Sequence, residues 1–101
     1  MFFLCVCQYG HSRSVALCRA LHARNLRAVA AGTATAGSAL ALLAEDAQAI
    51  FLLDDSLRGG IPQEYQHKVV SFHVGADRWV NPYHPELREI LDKKLDSYFG
   101  S

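Results

Sequence analysis

Short runs of apolar residues alternate along the chain with segments of helical periodicity. Residues 2–6 and 49–53 are continuously apolar, which is typical of strands buried on both faces. Residues 26–31 predict a second, weaker strand, which ends at Gly32. Residues 69–74 alternate in part between apolar and polar positions, as an edge strand does. The pattern therefore predicts four β-strands, of which the last is the least buried.

Three helices are predicted between and after these strands, over residues 14–23, 40–47 and from Pro85 onward. A further helical turn is expected within residues 61–66. The last helix has one apolar stripe, formed by Leu87, Ile90, Leu91, Leu95 and Phe99. This order of elements predicts an α/β fold of three layers, in which a four-stranded parallel sheet carries helices on both faces.

Composition limits the range of functions. The chain has 101 residues, which predicts a single domain over residues 1–101. Ten basic residues balance ten acidic ones, so no electrostatic footprint for nucleic acid or an anionic membrane is expected. Its three cysteines are odd in number, which favours free thiols and a cytoplasmic location over a disulfide framework. No segment approaches the roughly 18 apolar residues of a membrane span.

The segment with the clearest chemistry is residues 7–14, between the first predicted strand and the first predicted helix. It contains Cys7, a glycine, and Arg13 six residues after the cysteine. Cys18 and Arg24 have the same spacing, but they lie within the predicted helix, where backbone N–H groups already bond to carbonyls. The loop between strand and helix is therefore the better candidate for binding an anion.

A strand-to-helix loop of this kind can turn its N–H groups inward, and the following helix adds the positive end of its dipole. Both features favour a phosphate dianion and the thiolate form of Cys7. Arg13 offers a planar, two-pronged donor to phosphate oxygens, and the Ser14 hydroxyl can donate to the sulfur. The predicted phosphate-binding residues are Gln8, Tyr9, Gly10, His11, Ser12 and Arg13.

This segment resembles the Cys-x5-Arg-Ser loop of low-molecular-weight protein tyrosine phosphatases, which also lies between the first strand and the first helix. Residues 30–33 resemble the family's Ser-Ala-Gly-Thr, and residues 50–56 its third strand and Asp-containing turn. Residues 77–87 resemble a compact subgroup of predicted tyrosine phosphatases. The resemblance covers nearly the whole chain and implies the strand order 2-1-3-4.

The chain departs from the family's usual Cys-x-Gly-Asn-x-Cys-Arg-Ser at several positions. Gly10 stands in place of the Asn that takes a left-handed conformation in the family, and Ala30 replaces the Ser that supports that Asn. We expect Gly10 to adopt this conformation without side-chain help. Ser12 replaces the second cysteine of the pattern. Cys7 therefore has no neighbouring thiol in the loop with which to form a disulfide. Arg78 replaces the proline of the family's acid loop.

The resemblance implies phosphoryl transfer in two steps, with Cys7 as nucleophile, Arg13 as phosphate ligand and Asp77 as general acid. Asp54 and Asp55 remain alternatives for the acid. No cofactor or metal is required, the substrate is a phosphorylated protein or a small phosphate ester, and the product is inorganic phosphate. The predicted substrate rim is formed by Tyr9, His11, Trp79 and Tyr83.

Several alternatives stay open. A metal site is disfavoured because only two of the five histidines stand four residues after a cysteine, His11 after Cys7 and His22 after Cys18, and no two histidines are three or four residues apart. A phosphocysteine phosphocarrier would use a similar N-terminal loop, although Arg13 and Asp77 favour a hydrolase. Arsenate reduction in this fold needs additional cysteines, and none follows Cys18. A phosphate-binding module without turnover is the alternative outside the enzymes.

Overall fold

A parallel sheet of four strands forms the centre of the protein. The computed structural model describes residues 1–34, 37–74 and 81–100. The strands are β1 (Phe3–Cys7), β2 (Ala28–Gly32), β3 (Ala49–Leu52) and β4 (Val69–Ser71), and the helices are α1 (Arg13–His22), α2 (Ala39–Asp46) and α3 (Pro85–Phe99). Two 3-10 helices, Asp55–Gly60 and Gln63–Lys68, connect β3 to β4.

The strand order is β2-β1-β3-β4, and all neighbouring strands are parallel. The predicted order 2-1-3-4 is therefore confirmed. Cys7 at the end of β1 is paired with Gly32 at the end of β2, and Val6 is paired with Leu52 at the end of β3. The carboxyl ends of the three strands thus meet at one edge of the sheet, which is where ligands bind in folds of this class.

Helices cover both faces of the sheet, as the sequence predicts. One face packs against α1 and α3, whose leucines Leu17, Leu21, Leu87, Leu91 and Leu95 are buried with Phe51 of β3. The other face packs against α2 through Leu40 and Ala44, together with Leu4, Val6, Ile50 and Leu52. All five residues of β1 are buried. This explains why its sequence is apolar throughout instead of alternating.

The structure corrects some predicted element boundaries. β2 begins at Ala28 instead of residue 26, because the left-handed Asn25 (φ 63°) still belongs to the turn after α1. β4 ends at Ser71. Beyond it, Phe72 and Val74 still donate backbone hydrogen bonds to the Leu52 and Leu53 carbonyls at 2.7 and 2.9 Å. The chain therefore follows the sheet edge up to Val74.

The apolar stripe of α3 is narrower than predicted. Leu87, Leu91 and Leu95 are fully buried, whereas Phe99 is 41 % exposed at the last turn of the helix and packs edge-on against Phe3. Within the described ranges, no helix combines the length and the apolar character that crossing a membrane requires.

Candidate active site

The loop of residues 7–14 joins the end of β1 to the first turn of α1, and Cys7 lies at its base. The N–H of Gly10 donates to Cys7 Sγ at 3.2 Å. The Cys7 thiol donates to Ser14 Oγ at 3.1 Å, and this hydroxyl can donate in turn once the sulfur is ionised. Cys7 is only 2 % exposed. Its sulfur is therefore held among polar groups of its own loop, although the residue also borders the core.

The positive end of the α1 dipole lies at this loop. Arg13 is the first residue of the helix, and no acidic side chain lies in its first turn to neutralise that end. Ser14 is fully buried. The start of the helix therefore favours a bound anion at the loop.

The loop and the end of β2 interlock through two glycines. Gly10 has φ +74°, the left-handed conformation that the sequence predicts, and a Cβ there would lie 2.9 Å from the backbone of Ala31 and Gly32. A Cβ on Gly32 would lie 2.4 Å from the carbonyl carbon of Tyr9. Side chains are excluded at both positions, because the two main chains are already in contact.

Two backbone hydrogen bonds hold the loop to the segment after β2. Thr33 N–H donates to the Cys7 carbonyl at 3.0 Å, and Ala34 N–H donates to the Gln8 carbonyl at 2.8 Å. The family that this chain resembles has a serine at the position of Ala30. The loop of this chain does not need that serine side chain as a support. Main-chain contacts supply the stabilisation that the family's Asn–Ser pair was expected to give.

Arg13 is buried, with 1 % of its side chain exposed, and its Nη1 donates to Asp54 Oδ2 at 3.3 Å. Asp54 lies two residues after the end of β3 and caps the first 3-10 helix: its Oδ1 accepts from Ser56 N at 3.0 Å and from Ser56 Oγ at 2.8 Å. Burial raises the pKa of Asp54, but the hydrogen bonds from Ser56 and Arg13 lower it more, so its pKa lies below the ordinary value. An ionised Asp54 is suited to orienting Arg13 and is a poor proton donor.

Further polar contacts extend from the Arg13–Asp54 ion pair to the edge strand β4. His73 Nδ1 accepts a hydrogen bond from the Asp55 N–H at 3.0 Å and lies 3.8 Å from Asp54 Oδ1. Ser71 Oγ donates to Asp55 Oδ1 at 2.5 Å. The carboxyl ends of β3 and β4 are thus connected to the arginine of the loop.

The remaining predicted site residues differ in placement. Gln8, Tyr9 and His11 are exposed on the outer side of the loop, and Ser12 is buried. Tyr83 is 63 % exposed, and its ring centre lies 4.2 Å from the guanidinium carbon of Arg19 on α1. Asp77, the predicted acid, and Trp79, a predicted rim residue, lie outside the described residues.

The other two cysteines belong to the core. Cys5 is fully buried, which raises its pKa well above the ordinary value, and the neighbouring Cys18 and Cys7 raise it further. Burial also raises the pKa of Cys18, whose thiol donates to the Ala28 carbonyl at 3.3 Å. All three cysteines are unpaired thiols. In the part of the chain that the structure describes, no three His, Cys, Asp or Glu residues are grouped as metal ligands would be.

The sequence did not predict the positions of three residues of this site. Asp54 was considered as an acid, not as the partner of Arg13, and His73 and Gly32 were not singled out. The strand order could have indicated the position of Asp54. Because β3 is the neighbour of β1, the residues that follow β3 lie beside the loop after β1. No comparable signal marks His73.

Comparison with known proteins was made at the level of sequence and of structure. Neither the models of protein families nor the curated protein sequences gave a match. Among solved structures, Wzb of Vibrio vulnificus in complex with benzylphosphonate matches with a TM-score of 0.72 and 16 % identity, over 95 % of this chain and 94 % of that chain. A protein tyrosine phosphatase from Entamoeba histolytica with Hepes in its active site matches with a TM-score of 0.57 and 14 % identity, over 99 % and 98 % of the two chains. The chain therefore has the fold that its resemblance to low-molecular-weight tyrosine phosphatases implies.

Proposed function

We propose that the protein is a cysteine-dependent phosphatase that hydrolyses phosphotyrosine or another aryl or small phosphate monoester. The observation that carries this proposal is the placement of Cys7 Sγ within 3.2 Å of the Gly10 N–H, in a loop that ends at the buried Arg13. A nucleophile and a cationic phosphate ligand therefore belong to one loop. The fold shared with tyrosine phosphatases supports the same reaction class.

Substrate binding is assigned to the loop and to Arg13. The amides of residues 8–13 and the guanidinium surround the three non-bridging oxygens of the phosphoryl group, whose charge grows in the transition state. Asp54 keeps Arg13 oriented before substrate arrives, because one of its carboxylate oxygens already accepts from Nη1. An arginine fixed in this way loses little freedom when it binds phosphate.

In the first step the Cys7 thiolate attacks phosphorus opposite the leaving oxygen. The P–S bond forms as the bond between phosphorus and the leaving oxygen breaks, and Asp77 gives its proton to that oxygen. Ser14 stabilises the thiolate before attack, since its hydroxyl lies 3.1 Å from the sulfur. The products of this step are the free alcohol or phenol and a phosphocysteine at position 7.

In the second step water hydrolyses the phosphocysteine. The Asp77 carboxylate takes a proton from the water as its oxygen attacks phosphorus, the P–S bond breaks, and inorganic phosphate leaves with the thiolate restored. Tyr9 and His11 lie on the outer side of the loop, and we assign them, with Trp79 and Tyr83, to the rim that meets the substrate's leaving group. The free thiols fit a reducing compartment, and we place the reaction in the cytoplasm.

The test is multiple turnover of an aryl phosphate by the purified protein, compared with Cys7→Ser and Cys18→Ser variants. Cys7→Ser removes the nucleophile, so kcat should fall by at least about 10⁴-fold. Cys18→Ser is the matched control, since it removes a buried thiol outside the loop, and it should keep wild-type turnover. Acid quenching during turnover should trap phosphate on wild-type protein but not on Cys7→Ser.

Other outcomes would point elsewhere. Equal turnover by wild type and Cys7→Ser would overturn the proposal. A single equivalent of phosphate retained on Cys7 without turnover would indicate a phosphocarrier, and thermal stabilisation by phosphate without hydrolysis would indicate a binding module. Asp77→Asn should slow esters with poor leaving groups more than those with good ones, and equal rates with both would place the acid elsewhere.

A further inference from the structure

His73 lies two residues beyond β4, at the same edge of the sheet as the Cys7 loop. Its Nδ1 accepts the Asp55 N–H at 3.0 Å and lies 3.8 Å from Asp54 Oδ1 and 4.0 Å from Asp55 Oδ2. The imidazole therefore contacts both residues of the turn that orients Arg13. The ring is 48 % exposed.

The backbone N–H of Asp55 is the donor of this hydrogen bond, and His73 Nδ1 is the acceptor. A ring nitrogen accepts a hydrogen bond only through a free lone pair. The contact therefore depends on an acceptor atom at the position of Nδ1.

The bond to Asp55 constrains Asp54 because the two residues share a peptide unit. Holding the Asp55 N–H restrains the peptide plane that begins at the Asp54 Cα, and so limits rotation of the main chain at Asp54. Ser71 Oγ adds a second bond from β4 to the same turn, through Asp55 Oδ1. The turn is thereby fastened to the edge strand, while Asp54 Oδ2 faces Arg13.

We propose that His73 is a positioning residue of the phosphatase site: by holding the Asp55 N–H, it keeps the Asp54 carboxylate directed at Arg13. This inference rests on the proposed function, since it concerns the arginine that binds the phosphoryl group. The charged groups that face His73 within the described ranges are the carboxylates of Asp54 and Asp55, with Arg13 behind Asp54.

A double-mutant cycle tests whether His73 acts through Asp54. His73→Ala should lower kcat/KM for an aryl phosphate by about tenfold, the size of a typical coupling between contacting residues. In an Asp54→Asn background, the same alanine change should have little further effect. Losses that multiply in the double variant would overturn the proposal, and so would a His73→Ala variant within about twofold of wild type.

A conservative variant separates positioning from packing. The Oδ1 of an asparagine can accept the Asp55 N–H as Nδ1 of histidine does, but it does not gain a proton. His73→Asn should therefore keep kcat/KM near the wild-type value at pH 7.5, where His73→Ala does not. Equal losses in both variants would mean that only the bulk of the ring matters.

His73→Asn keeps the proposal testable even where His73→Ala fails to fold. A loss of about tenfold in kcat/KM for His73→Asn itself would overturn the proposal, because the asparagine Oδ1 supplies the same acceptor to the Asp55 N–H.

Failure of the proposed function is recognised separately. If wild type shows no turnover, calorimetric binding of inorganic phosphate still compares wild type, His73→Ala and His73→Asn at the Arg13 site. Weaker phosphate binding by His73→Ala alone would support the positioning role without a phosphatase. Equal phosphate binding by all three, or binding by none, would overturn it.

Discussion

Two segments of the chain place an arginine six residues after a cysteine, and we assign an anion site to only one of them. Cys7 ends a strand, and the loop that follows directs the Gly10 N–H at its sulfur. Cys18 lies inside α1, where its thiol donates to the Ala28 carbonyl. Arg24 follows the same helix and donates to Asp96 Oδ1 at 2.8 Å.

The difference lies in the backbone, not in the side chains. In a helix each N–H group is used by the carbonyl four residues earlier, so none can meet a ligand beside Cys18. In the loop the Gly10 N–H donates to the sulfur, and the end of the helix adds its dipole. Spacing of side chains therefore identifies a site only when the local main chain is free to take part.

The largest effect is expected from substituting the arginine of each segment by lysine. Arg13→Lys keeps the charge but loses the planar pair of donors, so kcat/KM should fall by about 10²- to 10³-fold. Arg24→Lys makes the same change in a surface ion pair between the turn after α1 and Asp96 of α3, and it should leave kcat/KM unchanged. Steady-state kinetics with an aryl phosphate measures both, and comparable losses would show that the comparison is mistaken.

An intermediate effect is expected from Gly10→Ala, which displaces the main chain of the loop. Gly37 is the matched control, since it also has positive φ (55°) but has no atom within 4 Å of an added Cβ. Gly37→Ala should lose about 1 kcal/mol of unfolding free energy from the left-handed conformation alone. Gly10→Ala should lose about 2–3 kcal/mol, because its Cβ also collides with β2.

Kinetics complete the glycine comparison. Displacing the Gly10 N–H from Cys7 Sγ should lower kcat/KM of Gly10→Ala by at least about tenfold, while Gly37→Ala keeps the wild-type value. Urea unfolding and initial rates give the two measurements. Equal stability and equal activity of the two alanine variants would mean that the loop tolerates a Cβ.

The smallest effect concerns the stability contributed by Asp54. The pKa of Asp54 is lowered in the folded protein, so the ionised carboxylate stabilises the fold above its unfolded pKa of about 3.9, and this contribution is lost as the pH falls through the folded value. Asp54→Asn should thus unfold more easily at pH 7, by no more than about 1 kcal/mol given solvent screening. The gap should close below about pH 4. A gap that is constant with pH would contradict this assignment.

Much of this molecule follows from its sequence. Apolar runs predicted β1, β2 and β3, and partial alternation predicted β4. The rule that a strand covered on both faces has no polar position holds best for β1, which is fully buried. The conformation of Gly10 was also predicted, since the loop needs a residue that adopts positive φ. The strand order followed from the family resemblance, and the comparisons of structure agree with it.

The contacts that complete the site did not follow from local pattern. Arg13 and Asp54 are 41 residues apart, and their pairing depends on the position of β3 beside β1. His73 lies on a segment whose alternation marks only an exposed edge, and its role depends on a turn 18 residues earlier. Gly32 contacts Tyr9 and Gly10 through backbone atoms alone. The pattern of hydrophobic residues gives no information about such contacts.

The interlocked glycines have a consequence for how this protein can change. Because two main chains shape the loop, its outward side chains at positions 8, 9 and 11 can be exchanged while the scaffold that holds the sulfur persists. In the proposed phosphatase, natural or designed substitutions at these positions would then change which esters are bound without rebuilding the loop around Cys7. Substrate preference and catalysis would be separable properties.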